Sequence, residues 1–184
     1  LLFRAGCEAL LDGYEREAIS DFASAQERAR EFFVRTLCLS PFDEGEFDKA
    51  WKEMANQSER QLGAFIIVYG YETGKAYRVD EKMVKLRNKT VHKGAIPSAS
   101  DVHKYAQHVF DEMLQLTKIL EEKHPSVLAD AVACEMSARK QRVPQGIIPI
   151  PFKRTLASLP AGTNVAVDIT SFDEFLDGVR QNRY

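Results

Sequence analysis

Cysteine is scarce in this chain, and the few that occur lie far apart. Cys7, Cys38 and Cys134 are the only three in 184 residues, and no two of them form a CxxC pair. Such a set neither builds a disulfide framework nor supplies the closely spaced ligands of a structural zinc site. Because no signal peptide is visible either, we expect a protein of the reducing cytoplasm.

Long apolar runs and well-known catalytic motifs are also missing. The stretch 64–68 is far shorter than the roughly 20 residues that span a membrane. The chain contains no HExxH, no Walker loop and no GxSxG, so a zinc hydrolase, an ATPase and an α/β-hydrolase have no support. We expect no membrane contact, no bound metal and no cofactor.

The net charge of −2 hides an uneven distribution. Residues 1–60 carry 8 Lys and Arg against 13 Asp and Glu, whereas residues 75–93 carry 7 against 2. A chain without an overall basic excess is not a bulk nucleic-acid binder. One local basic segment remains, and charge alone does not separate a phosphate-binding surface from an ordinary solvated helix face.

The first 140 residues have the periodicity of helices. Apolar residues recur at i, i+3, i+4 and i+7, which predicts buried helical stripes. Asp80 is a suitable N-cap, and Pro41 and Pro125 end the helices before them. Helices are expected over residues 1–11, 15–39, 46–56, from 58 to about 70–74, over 81–93, from about 98 to 124, and over 126–140.

The composition changes near residue 143. Four of the seven prolines lie between positions 144 and 160, a density that helix interiors exclude. We expect an extended segment over 146–152, a strand over 164–169 and a short helix from Ser171 to Val179. The predicted fold is therefore an all-α bundle over residues 1–142, with a small appendage over 143–184 that packs on the bundle or on a partner.

The basic segment contains an arginine, a polar residue and a histidine in a suggestive order: Arg87, Asn88 and His92. An imidazole can move protons at neutral pH. A guanidinium can bind a phosphate and neutralise charge that builds on it. Together these groups suffice to cleave RNA through its own 2′-OH. The spacing of these residues by itself also fits an Arg and a His that lie on the solvent-exposed face of a helix.

This arrangement resembles the HEPN superfamily (higher eukaryotes and prokaryotes nucleotide-binding domains). The family shows an Arg, a polar residue and then a His after four to six residues, near the end of a helix in an all-α bundle. The resemblance covers about residues 14–125. It rests on Arg87, Asn88 and His92, and elsewhere on the order of the helices.

The resemblance implies a bundle of about five helices and a homodimer in which the Arg and His of both subunits line one cleft. Many family members are metal-independent RNases that act as toxins or defence effectors, and others are inactive binding or scaffold modules. Some toxins carry a modifiable Tyr two positions after the His. Gly94 occupies that position here, so this form of regulation is not expected.

We therefore predict a HEPN-type endoribonuclease, acting as a toxin or an anti-phage defence effector. His92 would be the general acid/base, Arg87 would stabilise the pentavalent phosphorane, and Asn88 would orient Arg87 or the phosphate. The expected partners are RNA, a second copy of the chain, and an antitoxin or another defence-system protein. The residues expected to hold the flanking RNA backbone are Lys85, Lys89 and Lys93.

Two alternatives stay open at this point. Arg87 and His92 are five residues apart, which places them about 140° apart around a regular helix. Either the helix distorts near His92, or each group works with its counterpart in a second subunit. In addition, the chain could be a catalytically silent module, which would bind its ligand without turnover.

Overall fold

The computed structural model describes residues 2–39, 43–54, 58–141 and 171–182. All regular secondary structure within these ranges is α-helical and none of it is a strand, which confirms the all-α prediction for this part of the chain. The described helices number eight rather than about five. They are α1 (Leu2–Leu11), α2 (Glu15–Cys38), α3 (Glu44–Met54), α4 (Ser58–Thr73), α5 (Glu81–Val91), α6 (Ala99–Lys123), α7 (Pro125–Gln141) and α8 (Phe172–Gln181).

The helix ends fall at residues whose chemistry favours an end. Gly13 follows α1 with a φ of 76°, a backbone conformation that glycine adopts without a steric penalty. Ser98 caps α6, because its hydroxyl accepts the Asp101 backbone N–H at 3.1 Å. Pro125 begins α7, where a missing backbone N–H costs nothing. These local signals explain why most boundaries were predictable.

The first apolar core joins α1, the start of α2, the first half of α6 and α8. The Phe3 ring lies 5.0 Å from the Phe22 ring, 5.9 Å from Phe110 and 6.0 Å from Phe172, measured between ring centroids. Phe172 is fully buried, so α8 is part of this core. The predicted extended segment 146–152 and the strand 164–169 lie outside the described residues.

The second apolar core joins the other half of α2 with α3, α4, α7 and the end of α6. Phe33 and Phe65 are fully buried in it, and their ring centroids lie 5.9 Å apart. Leu120 of α6 and Leu128 of α7 complete it. Because α2 and α6 pass through both cores, these two long helices hold the molecule together.

A buried polar cluster lies where α2 and α6 pass from one core to the other. Arg30 of α2 donates through Nε to Glu112 Oε1 at 2.5 Å and through Nη2 to Oε2 at 2.9 Å. Tyr77 donates to the same carboxylate at 2.8 Å and accepts from Arg30 at 2.9 Å. Gln26 donates to Glu112 Oε2 at 2.7 Å. We call these four residues the polar layer.

Candidate functional site

Helix α5 carries the predicted site and is anchored at its start. The Asp80 carboxylate accepts the backbone N–H groups of Lys82 at 2.8 Å and Met83 at 3.3 Å. These hydrogen bonds favour the ionised form and lower the pKa of Asp80. Thr90 is buried, and Leu86 packs against the first core. This inward face fixes the rotation of α5, which turns Arg87 towards α2.

The end of α5 places His92 just beyond the last helical turn. The His92 backbone N–H donates to Asn88 O at 3.1 Å, and the Ala95 N–H donates to Lys89 O at 3.2 Å. Gly94 lies between them with a φ of 68°, which permits this tight reversal. The chain therefore turns directly after His92, as predicted, and the His92 side chain is exposed.

Arg87 brings the three predicted catalytic residues together. Its Nη1 donates to Asn88 Oδ1 at 3.1 Å and lies 3.1 Å from His92 Nε2. A guanidinium has only donors, so Nε2 is the acceptor in this contact and the ring proton lies on Nδ1. The nitrogen that faces Arg87 is therefore the one able to take a proton.

Glu27 of α2 is the part of this site that sequence reasoning missed. The Arg87 Nη2 donates to Glu27 Oε1 at 3.0 Å. Glu27 is one of many acids in the first 60 residues, and it lies 60 positions before Arg87. No local spacing could have linked them, because only the packing of α2 on α5 does so. In the described part of the chain, Arg87 Nε and the second N–H of Nη2 have no hydrogen-bond partner.

The contact between Arg87 and His92 changes the argument about their separation. The 140° angle describes where the two side chains leave a regular helix. His92 lies past the helical end, and the Arg87 side chain is long enough to reach it within one chain. Of the two alternatives, a change of the helix near His92 is the one that the structure has, and the homodimer stays a prediction that rests on the resemblance.

The three predicted backbone-binding lysines do not join the cluster. Lys85 is exposed and lies 3.3 Å from Glu81 across one turn. Lys89 and Lys93 are exposed as well, and neither has an ion-pair partner among the residues described. Their charges remain available to a ligand that crosses the end of α5.

Tyr105 of α6 lies beneath the site. Its hydroxyl is 3.5 Å from Gln26 Oε1, so it lies beside the polar layer. Burial raises the pKa of Tyr105 to about 12, against the opposing effect of the nearby Arg87 and Arg30 charges. Tyr105 therefore stays neutral at physiological pH.

The other three histidines have acidic neighbours. His103 Nε2 lies 2.9 Å from Asp173, His124 Nε2 lies 3.0 Å from Glu72, and His108 Nε2 lies 4.0 Å from Glu112. Among the residues described, His92 is the histidine that contacts an arginine. Over the described ranges, no three His, Cys, Asp or Glu side chains lie close enough together to hold a metal ion.

Comparisons with protein-family models, with curated proteins and with solved structures find no match. Within the described residues, no helix has the length and apolar character to cross a bilayer.

Proposed function

We propose that this protein is a metal-independent endoribonuclease of the HEPN type. One observation carries the proposal: Arg87, Asn88 and His92 meet within hydrogen-bond distance at the surface end of α5. A phosphate-binding cation beside an acceptor imidazole nitrogen is the pair that 2′-OH attack on RNA needs. The proposal also places the protein in the cytoplasm, as a toxin or an anti-phage defence effector.

The mechanism begins when an RNA phosphate competes for Arg87. Its Nη1 leaves His92 Nε2 and donates to a phosphate oxygen, which frees Nε2 to take the 2′-OH proton. The 2′-oxygen bonds to phosphorus, the bond from phosphorus to the 5′-oxygen breaks, and the 5′-oxygen takes a proton from solvent. Arg87 stabilises the charge of the phosphorane, and Asn88 keeps the guanidinium in place.

The exposed lysines supply affinity in this scheme. Contacts with the phosphate backbone hold a nucleic acid without reading its sequence. Lys89 and Lys93 are exposed, and Lys85 would be released from Glu81 when RNA binds. Sequence preference would then have to come from the shape of the RNA.

A silent binding module is the second candidate, and Glu27 is the observation that favours it. The Glu27 carboxylate already neutralises Arg87, and a carboxylate beside a phosphate site repels the phosphate. If the protein is such a silent module, it binds a ligand at α5 without cleaving it.

Incubation of the purified protein with total RNA, with DNA and with RNA plus a chelator tests the proposal. We expect cleavage of RNA alone, because DNA lacks the 2′-OH. The fragments should carry a 2′,3′-cyclic phosphate or its hydrolysis product, and a 5′-hydroxyl. Addition of chelator should leave the rate unchanged.

The matched variants are His92→Ala and His103→Ala. Loss of the general acid/base should slow cleavage by about 10²–10⁴-fold in His92→Ala, whereas His103→Ala should cleave at the wild-type rate. Expression of the wild type, but not of His92→Ala, should slow cell growth. Binding of RNA without cleavage by the wild type would establish the silent module instead.

A further inference from the structure

The lysines within α5 form a single row on its exposed face. Lys82, Lys85 and Lys89 are three and four residues apart in this helix. At 3.6 residues per turn they fall within about 60° of one another around the axis and extend over about 10 Å along it. All three are exposed, and Glu81, which pairs with Lys85, is the one acidic residue of the helix. We call these three lysines the lysine row.

The lysine row leads to the candidate site. His92 follows Lys89 by three residues, and its backbone N–H still donates to Asn88 O at 3.1 Å. His92 therefore lies at one end of the row, about 15 Å along the axis from Lys82. A stacked nucleic-acid strand advances about 3.4 Å per nucleotide, so this distance corresponds to about four nucleotides. Lys93 comes next, and residues 94–103 contain no Lys or Arg.

Beyond the end of α5 the charge changes sign. Tyr77 contacts Arg30 of α2, and ten residues later Arg87 contacts Glu27. The chain through α5 therefore runs antiparallel to α2, and its end points towards the start of α2. Residues 15–21 at that start include three acidic residues and one arginine. A chain of phosphates that crosses the site is thus attracted on one side of it and repelled on the other.

We infer that the substrate is an RNA strand that lies along α5, with the cleaved bond at His92 and about four nucleotides extending on one side towards Lys82. This inference rests on the proposed RNase function, and it assigns Lys82 as a further RNA contact. Contacts with phosphates hold a strand without reading its sequence. The enzyme should therefore require length on one side of the cleaved bond, whatever the bases there.

Binding is measured with a probe that has no free 2′-OH and so resists this cleavage. A 2′-O-methyl RNA of random sequence and about 12 nucleotides is longer than the whole row. Lys82→Gln should reduce the slope of log affinity against log salt by about 0.7, and the affinity by about 5–10-fold at about 50 mM salt. Lys52→Gln, at an exposed lysine of α3, is the control. A wild-type slope in Lys82→Gln would overturn the inference.

Cleavage then shows on which side the strand extends. In 2′-O-methyl strands that contain one ribonucleotide each, only the bond after that ribonucleotide has the 2′-OH that the reaction needs. The ribonucleotide is moved from one end of the strand to the other. On one side, kcat/KM should rise until about four nucleotides are present and then level off, whereas length on the other side should matter little. Equal dependence on both sides, or dependence on neither, would overturn the inference.

The length series also separates this inference from the RNase proposal. Lys82→Gln should lower kcat/KM only for strands that are long enough to reach it, and it should cut shorter strands at the wild-type rate. If no strand is cut but Lys82 still sets the salt slope, the lysine row binds RNA and the RNase proposal fails. If strands are cut and Lys82→Gln matches the wild type at every length, the RNase proposal stands and the inference about the lysine row is rejected.

Discussion

Two arginine–glutamate pairs use neighbouring positions of α2, and burial separates their roles. The polar-layer pair, Arg30 and Glu112, has side chains that are 15% and 6% exposed. The site pair, Arg87 and Glu27, has side chains that are 25% and 38% exposed. In the first pair two hydrogen bonds join guanidinium and carboxylate, whereas the second pair has one such bond.

This difference decides what each arginine can do. The Arg30 guanidinium also lies 5.3 Å from the centroid of the Phe65 ring, and its side chain is only 15% exposed, so little of it is open to a ligand. Burial lowers its pKa, but hydrogen bonding and charge from Glu112 outweigh this, and the pKa of Arg30 is raised. Arg87 has the same chemistry at a surface, where its partner His92 is open to solvent. Arg30 thus serves the fold, and Arg87 is the one suited to a substrate.

The largest expected effect comes from breaking the buried pair. Glu112→Ala would leave Arg30 buried without a counter-charge, and the free energy of unfolding should fall by about 3–5 kcal/mol. Urea denaturation measures this. If the variant does not fold, Glu112→Gln, which keeps one acceptor, should show a smaller loss. Replacement of both partners, with Arg30→Met and Glu112→Leu, should be far milder than either single change. A Glu112→Ala variant as stable as the wild type would contradict the role assigned to the polar layer.

Arg87→Lys should reduce cleavage next most strongly. Lys keeps the charge but lacks the planar fork that contacts Asn88, Glu27 and a phosphate at once. We expect a loss on the order of 10²-fold in kcat, with the free energy of unfolding changed by less than about 1 kcal/mol because the pair is partly exposed. Single-turnover cleavage and urea denaturation of the same preparation measure both quantities. Full activity in this variant would mean that Arg87 acts only as a point charge.

Glu27 should affect turnover to a lesser extent, as a positioning residue. Glu27→Ala removes the acceptor of Arg87 Nη2 and should lower kcat by about 10-fold, the cost of one hydrogen bond to a charged group. KM should change little. Glu27→Gln retains an acceptor oxygen and should recover most of the loss. Tighter RNA binding in Glu27→Ala with unchanged kcat would show instead that Glu27 competes with the phosphate.

The smallest expected effect concerns acid stability. Glu72 accepts from Lys123 and His124 at 3.0 Å each. Burial alone would raise its pKa, but these hydrogen bonds outweigh burial and the pKa of Glu72 is lowered. Its contribution, about 1 kcal/mol, is present above the unfolded-state pKa of 4.5 and is lost as the pH falls through the folded-state value. Urea denaturation of the wild type and Glu72→Gln should therefore differ at neutral pH and converge in acid.

Local signals account for most of the helix boundaries. Asp80, Ser98 and Pro125 act on backbone groups within a few residues of themselves, so their effect can be read from the sequence. The inward stripes of α2 and α6 were predicted for the same reason, since a helical period is a property of the segment alone. The grouping of Arg87, Asn88 and His92 was also local, because all three lie within six residues.

Long-range partners were not predictable in this way. Arg30 and Glu112 are 82 residues apart, and Arg87 and Glu27 are 60 apart. In the sequence, each of these residues is an ordinary charge on an amphipathic helix. The exposure of Ile67 and Tyr71 was not predictable either. Both resemble core residues in the sequence, and only the rotation of α4 in the fold turns them outward.

Sequence alone determined which segments are helical, where most of them end, and that an arginine and a histidine share the end of one helix. Those properties depend on caps, periods and spacings a few residues long. Only the tertiary structure decided which arginine forms the more buried ion pair and which contacts the exposed His92. That choice depends on how α2, α5 and α6 rotate against one another, and the rotation is set by the apolar side chains that each helix buries.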